Sequence, residues 1–172
     1  MGYTIDIGEA VLTGSKEDLY LRVGVEPRDH DDAPSFENDP LTGKGNSRSP
    51  SYSVWTDMCR ETGLYPMFYG LNGRRNPYME PDPDCHRETP ILAEHPGFVL
   101  IGERDVEEIK AALDRHIAAH GELVPGFRPW LEADDKAPAN ADACATRARL
   151  IWLHYWADWA VKNCKWPIIA NA

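Results

Sequence analysis

His116 and His120 stand four residues apart, the one spacing in this chain that presents two imidazoles on the same face of a helix to a transition metal. The chemistry such a pair implies is metal-dependent hydrolysis. A HExxH-type site also needs a glutamate directly after the first histidine, and Ile117 follows here. Cys85, His86 and His95 are the residues that could complete a zinc site in space, although their spacings match no standard zinc module. Without a metal, both imidazoles occupy the last turn of a helix, where a partly positive ring suits the negative end of the helix dipole.

Other chemistry-bearing groups are sparser. The run Asp29-His30-Asp31-Asp32 offers carboxylates to Mg²⁺ or Ca²⁺, but it lacks the glycine and the closing glutamate of an EF-hand loop. It reads either as a solvated acidic loop or as a negative arm for a basic partner surface. Between residues 26 and 39, Glu26, Asp29, Asp31, Asp32, Glu37 and Asp39 face only Arg28. Asp158 lies four residues from both His154 and Lys162, so it can orient the imidazole or pair with the ammonium. No nucleophile can be assigned to go with a His154–Asp158 pair, and Arg147, His154, Asp158, Lys162 and Lys165 equally form a narrow solvent-facing stripe. Arg74 and Arg75 are too few to define a phosphate site, and no GxGxxG, Walker or GxSxG motif is present.

Tryptophan is the composition's oddity, with six in 172 residues. Trp152, Trp156 and Trp159 share one helical face, and Leu150, Leu153, Ala157 and Val161 form a second. A helix apolar on most sides belongs in a core or an interface. One face can pack on a sheet; the other needs the chain's own loops, a second copy or another protein. With Trp130, these tryptophans and Asp29, Asp31 and Asp32 are the candidate binding surface, and they should then be exposed.

The elements that must position these groups follow from periodicity. Residues 3 to 12 and 19 to 26 alternate apolar and polar side chains across a turn-like TGSKED, which predicts an antiparallel hairpin. Residues 27 to 50, with four prolines and almost no large apolar side chain, read as an acidic loop with the composition of a flexible segment. Ser51 to Thr62 predicts a helix with Val54, Trp55, Met58 and Cys59 at core spacing and Gly63 as its terminator. Six prolines between residues 64 and 96 preclude a long regular element. Residues 97 to 103 suggest a third strand. The segment 105 to 120 predicts a helix capped by Asp105, with Val106, Ile109, Leu113 and Ile117 inward, and 141 to 164 predicts the long aromatic helix, capped by Asp142. The expectation is one α+β domain over residues 1–172, a small antiparallel sheet packed against two or three helices with long Pro-rich loops.

Composition bounds the function. Eighteen basic against 28 acidic residues give a formal charge of −10, which repels nucleic acid and anionic lipid. No apolar stretch approaches the roughly 18 residues of a membrane span, and the N-terminal residues lack a secretory signal pattern. Four cysteines without a CxxC pair read as reduced thiols of a cytoplasmic protein.

The blocks SYSVWTDMCRETGL, AEHPGF and RLIWLHYWADWAVKNCKWP resemble segments of small, uncharacterised bacteriophage and prophage proteins. The resemblance implies an accessory protein acting on a host or defence component, and it carries no catalytic residue. The leading expectation is therefore a non-enzymatic binding or inhibitor module for a host protein or small ligand, with neither nucleic acid nor membrane as partner. A homo-oligomer through the C-terminal aromatic helix is one form of it. The alternatives are a metal-dependent hydrolase, with zinc at His116 and His120, and a virion structural component.

Overall fold

A computed structural model describes residues 4–14, 22–34, 44–70, 89–122 and 141–172, the side chains of 141 and 142 excepted. At its centre is the aromatic helix. In the numbering used from here, the strands are β1 (Ile5–Thr13), β2 (Arg22–Val25), β3 (Ser47–Arg48), β4 (Gly97–Leu100) and β5 (Pro167–Asn171). The helices are α1 (Tyr52–Thr62), α2 (Tyr65–Tyr69), α3 (Glu103–His120) and α4 (Ala141–Asn163). The arrangement is α+β: an antiparallel sheet in the order β2-β1-β5-β4, with β3 also paired to β1.

α4 lacks a broad polar face because it is covered on two sides. β1 and β5 lie against it from one direction and α3 from the other. Leu150, Trp152, Leu153, Trp156, Ala157 and Ala160 share one cluster with Ile5, Ile7 and Ile169 of the sheet and Ile109 and Ala112 of α3. Each large apolar side chain buried this way contributes about 1.5–3 kcal/mol, so α4 organises the core.

The predicted hairpin is present, with Ala10 opposite Val25 and Thr13 opposite Arg22. β5 is the element that periodicity missed. It lies between β1 and β4, with Ile169 opposite Ile7 on one side and Val99 on the other. The segment 27 to 50 is not loop throughout: it contains β3 and a bridge between Asp29 and Gly45. Buried Asn46 holds it in place, donating from Nδ2 to the carbonyls of Ile7 (2.9 Å) and Glu26 (3.0 Å) and accepting from the Arg28 amide (2.9 Å). At Gly8, an added Cβ would stand 3.0 Å from Val25 and 3.3 Å from Asn46, so this crossing requires glycine.

α1 begins and ends as predicted. Ser51 accepts from the Val54 amide, and Gly63 takes a left-handed conformation at the C-terminus. Val54 is exposed rather than in the core, while Trp55, Met58 and Cys59 are buried. α3 starts two residues earlier than predicted. Gly102 is the N-cap, and Asp105 is the third helical residue, reaching back to accept from the Gly102 amide at 2.8 Å. The inward face of α3 is rotated accordingly: Asp105, Ile109, Ala112 and His116 are buried, and Ile117 is exposed. Among the described residues, no helix is long and apolar enough to cross a membrane.

Candidate metal centre

Three helix ends meet at one place. The last turn of α1 brings Glu61, the last turns of α3 bring His116 and His120, and the first turns of α4 bring Ala143 and Thr146. Helix C-termini carry partial negative charge, so two of the three ends favour a cation.

Glu61 Oε1 lies 3.5 Å from His116 Nδ1 and 3.4 Å from His120 Nε2. The ligand atoms of the three residues all lie within 4.8 Å of one another. Two ligands, each about 2.1 Å from a tetrahedral ion, stand roughly 3.4 Å apart, so the two carboxylate–imidazole separations are those of a shared metal. The imidazole rings are 4.3 Å apart between centroids. The site opens to solvent on one side, because the His116 side chain is 2% exposed while those of His120 and Glu61 are 37% and 42% exposed.

The surroundings prepare two of the three ligands. His116 Nε2 is 3.0 Å from the Ala143 carbonyl, which can only accept, so Nε2 carries the hydrogen and Nδ1 presents a lone pair. Burial pushes His116 below its usual pKa, with His120 and Arg147 acting in the same direction against the Ala143 hydrogen bond and Glu61. The neutral ring therefore aims a lone pair at a carboxylate oxygen. Two acceptors facing each other at 3.5 Å repel unless a cation lies between them. The second oxygen of Glu61 accepts from the buried Thr146 hydroxyl at 3.2 Å, which orients Oε1 toward the imidazoles.

His116 and His120 thus converge, as their spacing suggested, but the third member is Glu61. His95 does not join them. Its Nδ1 is 2.9 Å from Asn171 Oδ1 and its Nε2 is 3.2 Å from the Tyr52 hydroxyl. Cys85 and His86 lie outside the described residues. Nothing local in the sequence singles out Glu61, one of 28 acidic residues and on a different helix from the histidines.

The aromatic candidates are arranged differently. Trp152 and Trp156 are fully buried, so neither offers the exposed face expected of a binding surface; both faces of α4 are consumed within the chain. Of the large hydrophobics of α4, Ile151 is exposed, and Tyr155, Trp159 and Val161 are half-buried. Trp159 is half-buried, with the Arg28 guanidinium 5.2 Å from its ring and the His30 ring 5.2 Å away. His30 also packs on Trp156 at 5.0 Å, pinning the acidic run against α4. Asp29, Asp31 and Asp32 remain exposed around it, and Lys44 donates to the Asp31 carbonyl. Trp130 lies outside the described residues. Asp158 pairs with Lys162 at 2.7 Å, and His154 is pushed below its usual pKa, chiefly by burial.

No protein family, curated protein or solved structure matches this chain.

Proposed function

We propose that the protein binds a divalent transition metal, zinc in the first instance, through Glu61, His116 and His120, and serves as a metal-dependent hydrolase. The observation that carries this reading is the convergence of His116 Nδ1 and His120 Nε2 on Glu61 Oε1, at 3.5 and 3.4 Å, with the other nitrogen of His116 committed to Ala143. A carboxylate and two imidazoles suit zinc. Three protein ligands are the number found at catalytic zinc sites, where a position is left for another ligand; structural sites are closed by four. Held by these residues, a zinc ion would supply Lewis acidity and would lower the pKa of a water to about 7. The chain's own part is to fix the tautomer of His116 through Ala143, aim Glu61 through Thr146 and leave the His120 side open to substrate.

Metal analysis of protein purified without chelators tests this directly. One zinc, manganese or iron per chain is expected, removable by chelator and restored on titration. A chain with no stoichiometric metal, and no saturable binding of any of the three when titrated, overturns the reading.

A second reading, contact with a partner protein as in the bacteriophage-type accessory role, is favoured by the surface around Trp159, where Arg28 covers a half-buried indole amid exposed Asp29, Asp31 and Asp32. Affinity capture from a bacterial host should then retain a partner that Trp159→Ala releases. Equal recovery with both proteins removes its support.

A further inference from the structure

Two guanidinium groups are each anchored on the backbone carbonyl of the residue that follows one of the three ligands. Arg115 Nη2 donates to the carbonyl of Thr62, next to Glu61, at 3.1 Å. Arg147 Nη2 donates to the carbonyl of Gly121, next to His120, at 2.8 Å. Arg147 also follows Thr146, the residue that orients Glu61.

Neither guanidinium has a carboxylate partner among the described residues. That is notable in a chain with 28 acidic side chains against 18 basic ones, where Lys110 and Lys162 on the same two helices are both paired, at 2.5 and 2.7 Å. Each arginine uses one N–H on a helix-terminal carbonyl, and Arg147 Nε is buried with no acceptor among the described residues. A guanidinium has five donors, so most of this capacity is unspent. Capping two helix ends accounts for one donor each. It does not account for two cations without counter-charges around a site that would itself gain two positive charges with its metal.

Resting on the metal reading above, we infer that the substrate is a phosphate ester whose phosphoryl oxygens bind between the metal held by Glu61, His116 and His120 and the guanidiniums of Arg115 and Arg147. Planar guanidiniums match the oxygens of a phosphoryl group, and a divalent ion with two arginines offsets the charge of a phosphate that the −10 chain otherwise repels. In the hydrolysis this implies, the oxygen of water bonds to phosphorus, the bond from phosphorus to the leaving oxygen breaks, and a proton from that water ends on the leaving oxygen. An alcohol and phosphate are released, and nothing is oxidised or reduced.

Cobalt(II) loaded into the full chain in place of zinc, followed by titration with inorganic phosphate, separates the two layers of the argument. Expected are one cobalt per chain, a saturable change in the cobalt visible bands with phosphate, and no saturable phosphate binding to metal-free protein. In the double variant Arg115→Gln/Arg147→Gln the phosphate dissociation constant should rise at least tenfold with cobalt stoichiometry unchanged, and Arg115→Lys/Arg147→Lys should fall between it and the parent. Stoichiometric cobalt with no spectral response of the parent to phosphate overturns this inference and leaves the metal reading standing, as does a cobalt-loaded glutamine double variant that binds phosphate like the parent. Absence of bound cobalt overturns the metal reading beneath it. The parent titration decides the matter even if the glutamine variant does not fold.

Discussion

The aromatic middle of α4 and the meeting point of the helix ends make opposite use of a pair of residues four apart. Trp152 and Trp156 are both buried, and Trp152 also finds a polar partner, donating from Nε1 to the Gly45 carbonyl at 2.9 Å. Trp156 Nε1 is buried without an acceptor among the described residues, so that indole is retained for its volume. His116 and His120 add little apolar area; His116 is buried, yet its second nitrogen faces a carboxylate. Residues placed for packing tolerate an orphaned N–H, whereas those placed for chemistry have their lone pairs directed. The contrast separates stability from function more sharply than composition does, and it can be tested at both ends.

The largest effect should come from the packed pair. Trp156→Ala should cost about 3–5 kcal/mol of unfolding free energy, read by urea denaturation. A loss under 1 kcal/mol would show that α4 is not the centre of the core. Glu61→Gln should invert this pattern, lowering zinc affinity at least tenfold while changing stability by no more than about 0.5 kcal/mol, because the Glu61 side chain reaches solvent. Isothermal titration and urea unfolding on the same preparation give both numbers; equal zinc affinity in parent and variant would remove Glu61 from the site. Thr146→Val is the smaller version of that experiment. It keeps the side-chain shape, removes the hydroxyl donor to Glu61, and should weaken zinc binding by about tenfold.

Acidification gives the smallest change. His116 and His154 both sit below their usual value of 6.5, with burial as the leading cause. The unfolded chain therefore takes up protons before the folded chain does, and stability falls as pH drops through 6.5 toward the folded-state values. Urea midpoints of metal-free protein should decline from pH 7.5 to 5.5. A flat or rising midpoint would contradict the depressed values.

Much of the fold was legible because it rests on local periodicity. The alternation in β1 and β2, Ser51 and Gly63 bracketing α1, and the apolar density of α4 are all readable over a few residues. β5 was not, since PIIAN is short, begins with proline and is nearly continuous in apolar character. Its place between two strands explains that pattern but cannot be inferred from it. The inward face of α3 was misjudged by part of a turn, because ranking side chains by hydrophobicity placed Ile117 inside. Packing buries His116 instead, where Nε2 is satisfied by Ala143, and leaves Ile117 exposed.

By itself the sequence determined which residues were available for chemistry and their order along each helix. The 3.6-residue repeat places His116 and His120 on one face wherever the helix goes. Only the tertiary structure decided that Glu61 meets them, because the approach of α1 to α3 is set by how both helices pack and is not encoded in the spacing of either one. It also settled where the tryptophans point. A helix apolar on most sides states that burial is needed but not what will supply it, and here the sheet and α3 supply it from within the chain.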